Sequence, residues 1–172
     1  MLLRPFDRTD FARLLSWIES PDFLYQWAGP FFTYPLDDAQ LDRYLLLATG
    51  DPPTRRIFTA LEAAGGEAVG HIELSQIDRR HRSASLARVM VAPGRRGAGL
   101  GRAMVRAALG VAFGELRLHR VELVVFDFNH AAIQCYARAG LVREGVLRDA
   151  RRVGDEYWSV VQMSILEAEW RG

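Results

Sequence analysis

The sequence predicts a single α/β domain with a mixed, mostly antiparallel sheet of six or seven strands, flanked by about four helices. Three observations carry this. Residues 84–126 read as strand, glycine-arginine loop, amphipathic helix and strand, an order that makes the two strands parallel. Glycine turns at Gly65-Gly66 and Gly154-Asp155 join apolar runs into antiparallel hairpins. At 172 residues the chain can bury about 70% of its unfolded surface without staples, and no linker or repeat divides it.

Residues 2–6 suggest a first strand. Phe11, Leu14, Leu15 and Ile18 then recur at helical spacing, with Asp7 or Thr9 as N-cap and Pro21 as the stop. Residues 22–35 hold Phe23, Tyr25, Trp27, Phe31, Phe32 and Tyr34 around Gly29-Pro30. They read as an aromatic loop serving the core, a dimer contact or the wall of a pocket. A second helix starts at Asp37 or Asp38 and runs through Leu41, Tyr44, Leu45 and Ala48 to a stop at Gly50 and Pro52-Pro53. Strands are expected at residues 57–63 and about 68–77; in the latter Ile72 and Leu74 face one way and His71, Glu73 and Ser75 the other.

The central strand spans residues 84–91, where Val89 and Val91 are β-branched and Pro93 ends the ladder. The loop follows as Arg95, Arg96, Gly97, Ala98, Gly99, Leu100 and Gly101, whose glycines can take positive φ and turn backbone N–H groups outward. A helix begins inside this loop. Its apolar stripe is Leu100, Met104, Ala107, Ala108 and Val111, with Arg102 and Arg106 off the stripe and Gly114 at its close. Unpaired first-turn N–H groups beside Arg95 and Arg96 make an anion site that suits a pyrophosphate. The chain has no lysine, so the Walker A motif is excluded. The Gly97-x-Gly99-x-Gly101 spacing, with Arg120 where a ribose-binding acid is expected, argues against a dinucleotide. Beyond the helix come a parallel strand at 121–126, a helix at 129–139 ended by Gly140, and a hairpin of 141–147 with 157–166.

A formal net charge of +1 with 49% hydrophobic residues gives no reason to expect nucleic acid as a partner. No segment offers 18 uncharged apolar residues, so no membrane partner is expected and the reading is an untargeted, cytoplasmic protein. Cys135 is the single cysteine, which excludes an intrachain disulfide and a cysteine-based zinc site. His71, His81, His119 and His130 lack metal-ligand spacing, so no metal is expected.

The segment Arg96-Gly97-Ala98-Gly99-Leu100-Gly101 fits Arg/Gln-x-x-Gly-x-Gly/Ala, and through it the chain resembles the GNAT superfamily of acyl-CoA-dependent N-acetyltransferases. An N-terminal Leu-Arg-Pro strand, Val69-Gly70-His71-Ile72, Asn129-x-x-Ala132-x-x-x-Tyr136, Ala139-Gly140-Leu141 and Met163-Ser164-Ile165-Leu166 occur in family order across residues 2–170. The tail from Glu144 to Trp170 looks most like the branch containing ribosomal-protein and polyamine acetyltransferases. The resemblance implies that the two central strands splay at their C-terminal ends to admit a pantetheine arm. It implies acetyl-CoA as acyl donor, held by residues 95–102 and by Asn129 and Ala132. The segment between the first two helices would then shape the acceptor cleft.

Acyl transfer from a thioester to an amine needs a neutral amine, a stabilised oxyanion and a proton for the departing thiolate. The resemblance makes Tyr136 the acid and points to the backbone N–H of Met90 or Val91 for the oxyanion. Some family members use a carboxylate on the central strand as base, but residues 84–91 offer Arg88 instead. Glu73, acting through an ordered water, is the candidate base, with Asp127 and Glu144 as lesser rivals; an amine arriving partly neutral needs none. Asn129 reads equally as a helix N-cap. Cys135 reads as a small helix residue rather than a nucleophile, since no His and carboxylate are identifiable as activating partners. The amine is left open among a protein N-terminus, a polyamine, an amino acid, an amino sugar and an antibiotic. Succinyl-CoA as donor would call for a further arginine, such as Arg88. A non-catalytic acyl-CoA-binding regulatory domain is the alternative. The aromatic segment and the C-terminal hairpin offer surfaces for a homodimer.

Overall fold

The computed structural model describes residues 1–62 and 66–172; the expected Gly65-Gly66 turn and the end of the second strand at Ala63 fall outside the described residues. Seven strands form one sheet in the order β1-β2-β3-β4-β5-β7-β6. They are β1 (Leu2–Pro5), β2 (Arg56–Leu61), β3 (Ala68–Asp78), β4 (Ser83–Val91), β5 (Arg120–Phe126), β6 (Val142–Val153) and β7 (Glu156–Leu166). Among the described residues only β4 and β5 pair in parallel; the other neighbours are antiparallel. The helices are α1 (Phe11–Ser16), α2 (Pro21–Ala28), α3 (Asp38–Leu46), α4 (Leu100–Gly110) and α5 (His130–Ala139).

Strand alternation sorts the core into two layers. Phe58, Ile72 and Leu74 join Met104, Val105, Ala108 and Leu109 of α4 and Tyr136 and Ala139 of α5. On the other side Ile57 and Met90 meet Phe11 and Leu14 of α1, Leu24 of α2 and Leu41 and Tyr44 of α3. The expected polar face of β3 is therefore not wet: His71, Glu73 and Ser75 are buried under the second layer.

Several local expectations change. Pro21 opens a helix instead of ending one: Ser20 Oγ accepts from Phe23 N at 3.1 Å, and Pro21 occupies the first helical position, where its missing N–H costs nothing. Half of the expected aromatic loop is thus α2, with a 3₁₀ turn at Gly29–Phe31 after it. The chain consequently has five α-helices among the described residues rather than about four. The first helix ends at Ser16, and Asp7 caps the 3₁₀ turn Arg8–Asp10 that leads into it. The buried stripe of α4 is rotated from the expected one: Met104, Val105, Ala108 and Leu109 are covered while Leu100 and Ala107 are only half-buried, because α5 packs against one flank of the helix. Beyond Gly110 the helix widens into a π turn, Val111–Glu115. The C-terminal hairpin is longer than expected, with Gly154 in its turn at φ 60°.

A candidate active site where the sheet splays

β4 and β5 pair only at Ser83–Arg120, Ala84–Val121 and Ser85–Glu122. Beyond those pairs the two strands diverge. On the other side of β4 the β3 register passes from His71–Met90 to Glu73–Ala87 and so fits two β3 residues against three of β4. This bulge holds Arg88 at φ 47°, a left-handed conformation unusual for a residue with a side chain. A bulge adds twist and bends its strand.

The gap is a cleft of about 1120 Å³. Residues 85–91 of β4 and 122–126 of β5 form its walls, α2 and Phe31 cover one side, and Asn129, Ala132 and Tyr136 come from α5 and its cap. Beyond Ser85 the β5-facing edge of β4 has no strand partner among the described residues.

The glycine loop closes the cleft at the C-terminal end of β4. Gly97 and Gly99 take φ of 83° and 78°, and Gly99 caps α4 without a side-chain hydrogen bond, so the first-turn N–H groups of this 11-residue helix remain free for an anion. A Cβ at Gly101 would come within 3.2 Å of Cys135 Sγ and 3.5 Å of Val91 Cγ2, so the missing side chain lets α4 seat against α5 and β4. Of the two loop arginines, Arg96 lines the cleft and stacks on Phe23 at 5.2 Å. Arg95 instead bonds Glu62 and, at 2.8 Å, Glu67, away from the lining. Arg102 is exposed and Ala98 precedes the cap. An open strand edge, a side-chain-free cradle and a helix N-terminus together fit the extended arm and diphosphate of coenzyme A.

Asn129 is the cap of α5 and stands at the cleft. Its Oδ1 accepts from Ala132 N at 3.2 Å. Tyr136, two turns on, is 9% exposed, and burial first of all pushes its hydroxyl well above the ordinary phenol range. It is therefore protonated at neutral pH. Burial likewise raises the Cys135 thiol, which leaves it a poor nucleophile.

Glu73 lies within the second core layer, fully buried, and is absent from the cleft lining. Its oxygens accept from Tyr44 Oη at 2.6 Å, from Arg88 Nη1 at 2.7 Å and from Arg55 Nη1. Because Tyr44 donates to Glu73, its oxygen accepts from His71 Nε2 at 3.1 Å, which fixes the proton of His71 on Nε2. Burial, then the charge of Arg88, push His71 down to about 3, so the ring is neutral. Both arginines also lie over aromatic faces, Arg88 at 3.9 Å and Arg55 at 5.5 Å from the centre of Phe31. Glu144, a lesser candidate, bonds Arg120 and Ser164 outside the cleft lining, and Arg120 first of all holds its carboxyl down at about 2. Sequence reading missed Arg55, Tyr44 and this buried ion cluster; Arg88 in the central strand, where a carboxylate was sought, was the one signal pointing to it.

A model of the acetyltransferase (GNAT) family matches residues 21–141, and the chain belongs to that family. It is accordingly an acetyl-CoA-dependent N-acetyltransferase by class. Spermidine N(1)-acetyltransferase of Vibrio cholerae is 33% identical over 110 residues, 64% of this chain and 63% of the relative, so the matched stretch spans less than two thirds of that protein. The Bacillus subtilis protein YdaF, whose name assigns it provisionally to ribosomal N-acetylation, is 29% identical over 99% of this chain and 92% of its own. A crystal structure of Vibrio cholerae spermidine N-acetyltransferase with CoA and spermine superposes with a TM-score of 0.85 at 27% identity, covering 98% of this chain and 96% of that one. These relatives match the polyamine and ribosomal-protein branch expected from the tail. Among the described residues no group of three His, Cys, Asp or Glu side chains could hold a metal, and no helix is long and apolar enough to cross a membrane.

Proposed function

We propose that this chain transfers acetyl from acetyl-CoA to the primary amine of a small acceptor by direct attack, with both substrates bound in the cleft between β4 and β5. The carrying observation is that strand pairing stops at Ser85 and Glu122 while the glycine loop opens at the end of the same gap. Acetyl-CoA supplies an activated thioester, and coenzyme A leaves as the thiol. The chain contributes placement, which at best contributes about 7 to 11 kcal/mol by orientation alone.

Within this reading the loop from Arg96 to Gly101 and the α4 N-terminus hold the diphosphate, while Asn129 and Ala132 flank the arm. Met90 or Val91 N–H on the unpaired edge faces the charge that develops on the acyl oxygen. Tyr136, held as a neutral phenol by burial, donates the proton to the departing thiolate. Glu73 acts through position: it holds Arg55 and Arg88 at the cleft wall. Those cations favour the neutral form of an amine nearby, since like charge disfavours protonation, and so lessen the need for a carboxylate base.

Spermidine belongs among the acceptors to test because two relatives are named for it. The first experiment is thermal denaturation with acetyl-CoA, CoA, ATP and NAD, followed by thiol release with amines. A ligand at 100 times its Kd stabilises by about 2.7 kcal/mol. Stabilisation by CoA compounds alone, with amine-dependent thiol release, is expected. Stabilisation without release for any amine supports the acyl-CoA-binding regulatory reading instead, and stabilisation by ATP or NAD overturns the placement of the diphosphate.

A further inference from the structure

The cluster of Arg55, Glu73 and Arg88 does not balance. Two guanidiniums share one carboxylate, with side chains 16%, 0% and 10% exposed. The remaining polar groups in contact are Tyr44 and His71, and both are neutral: burial raises the Tyr44 hydroxyl and lowers the His71 ring. One positive charge is therefore left over at the wall of the cleft, which both arginines line. Stacking on Phe31 softens that charge without neutralising it.

A second observation points the same way. Arg88 Nε is buried and has no hydrogen-bond partner, a costly arrangement for a charged donor. It sits on a residue whose backbone is held in the left-handed region by the bulge, where strain accompanies sites that must place a group accurately. The indole nitrogen of Trp27, another lining residue, is also buried without a partner. Both nitrogens are enclosed behind the wall, which is left under-satisfied, and what the cleft itself meets is the charge of the guanidiniums.

The balance of the whole cleft agrees. Its other ionisable walls are Arg96, Arg151 and Glu122, besides Tyr136. Glu122 is the only lining carboxylate among the described residues, and its Oε2 already accepts from Arg120 at 2.9 and 3.2 Å. Even with Arg96 assigned to the diphosphate, the space left for the acceptor carries surplus positive charge. A polycation entering it would meet like charge and no free carboxylate.

We propose that the amine acceptor carries a carboxylate, which Arg88, backed by Arg55, binds while the amine is acetylated. The substrate class is an amino acid or similar small amino acid-like amine, and Arg88 is a specificity-determining residue. A guanidinium suits this task because its planar fork matches a carboxylate. The inference rests on the transferase reading above and adds the charge of the acceptor to it.

The test uses amines that differ in charge and, spermidine apart, are matched in length: 3-aminopropanoate and 4-aminobutanoate, propylamine and butylamine, 1,3-diaminopropane and the longer spermidine. With saturating acetyl-CoA, kcat/KM for the carboxylates is expected to exceed that for the diamines by about 10- to 100-fold, the range for a charged hydrogen bond. Arg88→Lys, which keeps the charge on Glu73 but loses the fork, is expected to raise KM for the carboxylates at least about tenfold more than it raises KM for propylamine and butylamine. Equal or better turnover of 1,3-diaminopropane or spermidine overturns the proposal and leaves acetyl transfer standing. So does an Arg88→Lys loss that falls in kcat and is the same for neutral and anionic amines, which would place Arg88 on the reacting atoms instead. Calorimetric titration of 3-aminopropanoate and 1,3-diaminopropane into the CoA complex reads the same preference without turnover. A transferase that proved inactive would therefore still decide it: tighter binding of the carboxylate supports the proposal, and tighter binding of the diamine overturns it.

Discussion

Arg88 Nη1 donates to Glu73 Oε2 at 2.7 Å across the point where β4 bulges against β3. This bond ties the bulge at the cleft wall to the buried charge beside it. β4 loses its β5 partner after Ser85, and the bulge that follows between Ala87 and Met90 brings a guanidinium to the wall of the opening.

Removing Glu73 should damage stability before it damages chemistry. Glu73→Ala leaves two arginines buried without their counterion, a change that costs about 3 to 5 kcal/mol in comparable buried pairs. Urea denaturation is expected to show that loss, while Tyr44→Phe, which removes one hydroxyl from the cluster, is expected to lose about 1 to 2 kcal/mol. A Glu73→Gln variant that keeps full stability and loses only turnover would show that the carboxylate serves as a base rather than as an anchor.

Tyr136→Phe retains the ring that closes the core and deletes the hydroxyl. A positioned acid contributes about 10²- to 10⁴-fold, so kcat should drop by about that factor with the affinity for CoA unchanged by calorimetry. An unchanged kcat would remove Tyr136 from the mechanism.

Arg96→Ala should weaken CoA binding while sparing stability in the absence of ligand, because the side chain rests on Phe23 and forms no ion pair among the described residues. A loss of about tenfold or more in affinity is expected. Gly99→Val mixes two effects: at φ 78° a β-branched residue is strained by about 1 to 2 kcal/mol, so its melting temperature should fall even without CoA. Unchanged affinity in Arg96→Ala would move the diphosphate elsewhere.

Acid should destabilise the fold through His71. Its pKa falls from 6.5 in the unfolded chain to about 3 in the folded one. The unfolded state therefore takes up a proton first, and stability present above pH 6.5 is lost as the pH drops toward 3. The loss attributable to His71 is about 2 kcal/mol by pH 5. His71→Gln should flatten that part of the stability curve measured between pH 7 and 5, and an identical slope in the variant would show that other groups carry it.

The legible parts of the fold were those written in local pattern. The strand, glycine loop and helix around Gly99 could be read because backbone conformation there is set by residues adjacent in sequence. The caps at Asp37 and Asn129 followed for the same reason, as side chains bonding N–H groups three residues on. Pro21 was misread because proline stops one helix and starts another equally well, and only the Ser20 cap decides between them.

By itself the sequence determined an α/β domain with one parallel pair, a glycine loop leading into a helix N-terminus, and Asn129 and Tyr136 two turns apart at the cap and on the body of one helix. Tertiary structure alone decided that Glu73 is buried between Arg55 and Arg88, that Arg95 turns away while Arg96 faces the cleft, and that pairing of β4 with β5 stops at Ser85 and Glu122. The physical reason is range. Glycine φ preferences and helix caps act within a few residues, whereas a register shift and the burial of a charge depend on which distant strand and helix come to lie alongside.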